Sequence, residues 1–162
     1  MKSRPSALVV RLAVVAAGSL PWPSMATAQS PLDTTSLRWG VPTTMPTSAR
    51  VAVVRGDPTA PGETVFLISM PNGYRIPPHF HPGPTRIAVR QGRLLVGMGD
   101  KVDAGRAKAL GAGDSLTIPA ERRHYWMASG PTLAFLTFTG PFTITYLRAD
   151  DAPRPRAFPI GY

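Results

Sequence analysis

From Ala49 onward the chain is cut into short apolar runs by turn residues, and this rhythm limits the fold more than any other feature. Gly56-Asp57-Pro58, Pro71-Asn72-Gly73, Gln91-Gly92, Gly99-Asp100, Gly111-Ala112-Gly113 and Ser129-Gly130-Pro131 each carry residues that a reversing backbone favours. The spacing predicts strands over Arg50 to Val54, Glu63 to Met70, Thr85 to Arg90, Leu94 to Met98, Ala107 to Leu110, Ser115 to Ile118, His124 to Ala128, Thr132 to Thr139 and Thr143 to Leu147. No stretch after Gln29 keeps apolar residues at helical period over three turns. Short strands at intervals of about ten residues predict an all-β sandwich or barrel, and periodicity alone does not choose between them.

The N-terminus has a different character. Lys2, Arg4 and Arg11 with no acid, the apolar run Leu12 to Leu20, the breakers Pro21 and Pro23, and Ala26-Thr27-Ala28 predict a secretory signal peptide over residues 1–28. The apolar run is far below the roughly 20 residues that cross hydrocarbon, so no stable membrane span is expected. A periplasmic or secreted location follows from that leader. Residues 29–48, rich in Pro, Thr and Ser, are expected to form an extended N-terminal arm anchored by Trp39 and Met45. Residues 49–147 make one domain, and 148–162 are too proline-rich for a helix or a central strand. That C-terminal tail is expected to lie on the surface, with Phe158, Ile160 and Tyr162 able to anchor it on the same subunit or a neighbour, so a homodimer is one state open to the chain.

Lys and Arg number 18 against 9 Asp and Glu, a formal charge of +9. These basic residues are scattered rather than clustered, which argues against nucleic acid as partner and for solvated surface groups, with one or two drawing an anionic ligand. The absence of cysteine excludes disulfides, thiolate metal ligands and a cysteine nucleophile.

Chemistry therefore falls to other groups, above all to the 3 histidines. His79 and His81, two apart in extended backbone, project to one side with Phe80 opposite. They stand in the run Gly73-Tyr-Arg-Ile-Pro-Pro-His79-Phe-His81-Pro-Gly-Pro-Thr85-Arg-Ile-Ala-Val-Arg-Gln-Gly92, and His124 ends a second run, Gly113-Asp-Ser-Leu-Thr-Ile-Pro119-Ala-Glu-Arg-Arg-His124. Together these runs resemble the paired motifs of the cupin superfamily: Gly73, His79, His81 and Gly92 sit at the first motif's spacings, and Gly113, Pro119 and His124 at the second's. The resemblance covers roughly Val51 to Tyr146. Thr85 stands where the family has a glutamate ligand, and Glu121 where it usually has glycine.

The resemblance implies a single-domain cupin jelly-roll barrel with extended N- and C-terminal arms. It also implies that His124, on the neighbouring strand, converges on His79 and His81 to hold a divalent metal, with Fe(II) favoured and Zn, Ni, Cu or Mn also suited to imidazole. By strand parity Thr85 points inward with His81, Val89 shares Thr85's face and Trp126 shares that of His124, so these line the cavity. Arg75 shares His79's parity and is the expected anion-steering arginine. Glu63 and Glu121, the candidates for a replacement carboxylate, are expected at the surface, and Tyr125 is expected to face outward. Three neutral imidazoles leave the full metal charge for an anion and for acidifying bound water. The expected activity is oxygenase-like chemistry on a small anionic organic molecule; the alternative is a non-catalytic cupin that binds a small ligand or metal.

Overall fold

A computed structural model describes residues 33–154. In chain order the strands are β1 (Trp39–Gly40), β2 (Arg50–Arg55), β3 (Gly62–Met70), β4 (Arg75–Phe80), β5 (Thr85–Gln91), β6 (Arg93–Met98), β7 (Lys108–Gly111), β8 (Ser115–Ile118), β9 (His124–Ala128), β10 (Thr132–Gly140) and β11 (Thr145–Tyr146). The turns named above separate β2 from β3, β3 from β4, β5 from β6, β6 from β7, β7 from β8 and β9 from β10, whereas β1 and β4 are strands that the spacing does not predict. Only one short 3-10 turn, Ala149–Asp151, interrupts the all-β character of the described residues.

The strands form two antiparallel sheets, one of order β1-β2-β3-β10-β5-β8 and one of order β11-β4-β9-β6-β7. The expected closed barrel is therefore corrected to a two-layer sandwich, since no strand of one sheet pairs with a strand of the other. Each sheet ends on short strands, with β1 and β11 of 2 residues and β7 and β8 of 4. Strand alternation reports which side chains face inward in either architecture, and it carries no information about whether edges meet. The leader over residues 1–28 and the tail residues Phe158, Ile160 and Tyr162 lie outside the described residues, and nothing in the described fold supports the leader or an exported location. Among the described residues no helix is long and apolar enough to cross a membrane.

Alternation shapes the core. Along β5, Thr85, Ile87 and Val89 are buried, while Arg86 between them is exposed. Along β10, Thr132, Ala134, Leu136 and Phe138 face inward in the same way. These pack against Leu94, Val96, Ile76 and Trp126 of the facing sheet, and their removal from water is the main stabilising term of such a layer. The N-terminal arm joins this core through Met45, which is 2% exposed, whereas Trp39 stays half-buried under the Arg50 guanidinium.

Strand β9 departs from alternation, for all five residues are buried. Tyr125 does lie on the outer face, yet it is covered, because Gly97 opposite has no side chain and the segment around Asp103 folds over the ring. Its hydroxyl donates to the Asp103 carbonyl at 2.7 Å and accepts the Asp103 N–H at 3.0 Å.

Candidate metal centre

The three histidines meet at one end of the space between the sheets. His79 stands opposite His124 in the β4–β9 ladder, and His81 follows β4 directly. Their nitrogen atoms lie within 4.8 Å of one another, and all three residues are buried. Ring centroids are 4.1 Å apart for His79 and His124, 5.1 Å for His79 and His81, and 5.4 Å for His81 and His124.

Each ring is held through Nδ1. His79 reaches the Pro77 carbonyl at 2.7 Å, His124 the Arg122 carbonyl at 2.7 Å, and His81 the Thr143 carbonyl at 2.6 Å. A carbonyl only accepts, so each Nδ1 carries the proton and each Nε2 keeps its lone pair. The Nε2 of His124 is buried and has no partner in the protein. Burial holds all three rings neutral: it is the largest cause in each case, lowering His79 to about 2, with neighbouring His124 adding to the effect, and His124 to about 4. The same cause lowers His81, partly offset by the Thr143 bond. Neutral imidazoles with their ligand nitrogens gathered within 4.8 Å are what a divalent ion requires, so the residues present fit a metal.

The predicted wall residues separate into two groups. Trp126 lies beside the cluster, its ring centroid 6.2 Å from His79 and 6.3 Å from His124, and its indole N–H is buried without a partner. Thr85 is buried with an unpartnered Oγ1, and it shares with His81 a recess of about 10 Å³. Val89 belongs to the hydrophobic core, and four strand steps, about 13 Å, separate it from Thr85. Arg75 is exposed and pairs with Met127, on the face opposite Trp126. Three β4 steps from Ile76 to His79 span the two β9 steps from Trp126 to His124, and this bulge at Pro77-Pro78 brings Ile76 rather than Arg75 to His79's face. The same bulge presents the Pro77 carbonyl to His79.

No carboxylate joins the cluster among the described residues. Glu63 is exposed and paired with Arg55. Glu121 is exposed in the left-handed region, at φ 58, with its N–H on the His81 carbonyl at 2.8 Å. That backbone explains the glycine of the motif, since a left-handed turn is where glycine costs least.

Sequence reasoning missed two aromatic neighbours. Tyr146 pairs with His79 across β11, its ring 5.9 Å away, and its hydroxyl donates to the Thr44 carbonyl of the N-terminal arm at 3.0 Å. Phe142 lies 5.4 Å from His81. The spacing of Phe142, Ile144 and Tyr146 at period two is the signal that points to them.

A cupin domain model matches residues 66–138, which contain all three histidines. The germin-like protein subfamily 3 member 3 of Arabidopsis thaliana is 32% identical over 80 residues, 48% of this chain and 38% of that protein, so the match spans well under half of the relative's length. Among solved structures, the polyketide cyclase RemF from Streptomyces resistomycificus is similar with a TM-score of 0.58 at 20% identity, covering 74% of this chain and 85% of that one. A putative acetylacetone dioxygenase from Methylibium petroleiphilum gives 0.56 at 17% identity, covering 76% and 84%, and the DMSP lyase DddQ from Ruegeria pomeroyi gives 0.56 at 16%, covering 70% and 62%. At these identities the likeness is one of fold. With the family match, the two facing sheets and the histidines at both motif positions, residues 66–138 form a cupin domain.

Proposed function

We propose that this chain holds one divalent metal on His79, His81 and His124 and uses it for chemistry on a small anionic organic molecule, with oxygenation ahead of isomerisation or hydrolysis. The observation that carries this reading is the commitment of all three Nδ1 atoms to backbone carbonyls, which leaves every ring its Nε2 lone pair. A bound divalent ion would supply Lewis acidity and, among neutral ligands only, would keep its whole charge for an anion. Trp126, Tyr146 and Phe142 would keep water from the centre. The Thr85 hydroxyl, beside His81, would donate to or accept from an oxygen placed there. Fe(II) is the favoured ion for the oxygenase reading, and Zn, Ni, Cu or Mn would suit three imidazoles as well. Similar folds that carry the names of a cyclase, a dioxygenase and a lyase support an enzyme and do not choose its reaction.

One observation favours a second reading, a protein that holds metal or a small ligand without turnover: the recess at His81 is about 10 Å³, far below the volume of an ordinary substrate pocket. Elemental analysis after anaerobic loading with a mixture of Fe(II), Zn(II), Ni(II), Cu(II) and Mn(II) tests the centre itself. About one equivalent of metal is expected, with none in His124→Ala and an unchanged far-UV spectrum; equal metal in both would refute the three-histidine centre. Dioxygen uptake by the Fe(II) form, offered small phenolic, thiol and keto-acid compounds, separates the two readings. Uptake that depends on His124 supports the enzyme, and stoichiometric metal without turnover supports the holding protein.

A further inference from the structure

The cluster has a second neighbour outside the dry wall described above. In the β6–β9 ladder Met98 stands directly opposite His124, so both side chains lie on the inner face of their sheet. His124 is fully buried, whereas Met98 is 39% exposed. The methionine thus has the histidine on one side and a solvent-open recess of about 730 Å³ on the other. That volume is within the range of small-molecule sites.

The walls of the recess combine two chemistries. Its floor is apolar, made by Met98, Val96 and the half-buried Leu116. Val96 is 1% exposed and belongs to the core, so the recess reaches the edge of the layer between the sheets, while Tyr125 and the Asp103 segment line it from the outer side. Lys108 pairs with Val96 on β7 and therefore emerges on that same inner face, at the open edge of the sheet. Arg122 lines the recess as well, and its carbonyl is the one that orients His124. Two acids also line the recess: Asp100 pairs with Arg123 at 2.6 Å, and Asp103 accepts the Gly105 N–H at 2.9 Å, while Lys101, Arg106, Lys108 and Arg122 leave the lining with four basic groups against two acidic ones. Among the described residues neither Lys108 nor Arg122 forms an ion pair.

We propose that this recess binds a small carboxylic acid with an apolar body, the carboxylate on Lys108 and Arg122 and the body against Met98, Val96 and Leu116. Guanidinium and ammonium groups bond carboxylates strongly, and an apolar floor beside them selects an amphipathic acid over a bare anion. Met98 is the wall between this recess and His124, so movement of one flexible, unbranched side chain joins the two spaces. The anion-steering role expected of Arg75 thereby passes to residues on the inner face. As the substrate site of the metal centre the recess rests on the reading given under Proposed function; as a binding site it does not.

Calorimetric titration of the full-length protein with benzoate, in metal-free and metal-loaded forms, tests the assignment. Benzyl alcohol and inorganic phosphate serve as probes of the apolar body and of charge alone. Benzoate is expected to bind, the other two far more weakly, and Lys108→Gln with Arg122→Gln to weaken benzoate about tenfold or more while metal content and far-UV spectrum stay unchanged. Unchanged benzoate affinity in the double variant would overturn the proposal, as would phosphate binding as tightly as benzoate or no benzoate binding at all. If the protein takes up no metal but loses benzoate with these two substitutions, the metal reading falls and the recess stands. Retained metal with benzoate indifferent to both substitutions has the opposite meaning.

Discussion

The two faces of β9 carry similar side chains and put them to opposite uses. On the outer face the Tyr125 hydroxyl both donates to and accepts from the Asp103 backbone, so its hydrogen-bonding capacity is spent within the protein. On the inner face His124 Nε2 and the Trp126 indole N–H are buried with no partner. A buried polar atom without a partner costs about 1–3 kcal/mol, and in the reading proposed above two such atoms on one face, with a third at Thr85 Oγ1 across the sandwich, are the groups that a bound ion or ligand would satisfy. Burial alone does not make that distinction, since Tyr125 and Trp126 are 1% and 2% exposed.

Acid should break the comparison most strongly. Burial lowers the three histidines from an ordinary 6.5, with His124 at about 4 and His79 at about 2. The unfolded chain therefore takes up protons as pH falls below 6.5 while the folded chain does not, so the metal-free protein should lose stability steadily from pH 6.5 toward 4 and below. Urea unfolding across that range would check it, and a flat profile would refute neutral burial of the cluster. Tyr125→Phe should leave this pH dependence intact, because the outer face carries none of the three rings.

Gly97→Ala comes next. Its Cβ would clash with the Tyr125 ring, and overpacking of this kind costs about 3 kcal/mol, readable as a lower urea midpoint with metal uptake retained. Tyr125→Phe itself should cost about 1 kcal/mol, again without change in metal content. Loss of metal in either outer-face variant would show that the faces are not independent. Glu121→Gly should have the smallest effect, stabilising by about 1 kcal/mol as it relieves the left-handed backbone at an exposed position.

Much of this was legible in the residues because it depends on local rules. Turn residues set the strand boundaries, and the parity of His79 and His81 with the two motif spacings placed three imidazoles together. What escaped depends on events that no local rule records. Pro77-Pro78 is itself a visible sign of a register break, but not of its direction: the pair shifts β4 against β9 by one step, and that step turned Arg75 from the cluster to the surface. The barrel expectation failed because edges such as β8 and β11 have no sequence mark that says whether they meet. Tyr146, bound to the Thr44 carbonyl, joins segments separated by 102 positions, and Met98 becomes a neighbour of His124 only through strand pairing.

The carbonyls that hold the histidines have one more consequence. His79 and His124 are each oriented by a carbonyl two positions back in their own segment, whereas His81 depends on Thr143, 62 positions away. Two of the rings are thus portable units that bring their own setting, and the third is borrowed from the closing segment. A grafted or truncated version of this domain would keep a pair of ready imidazoles and lose the third unless the segment through Thr143 came with it, so completeness of the centre reports on completeness of the fold.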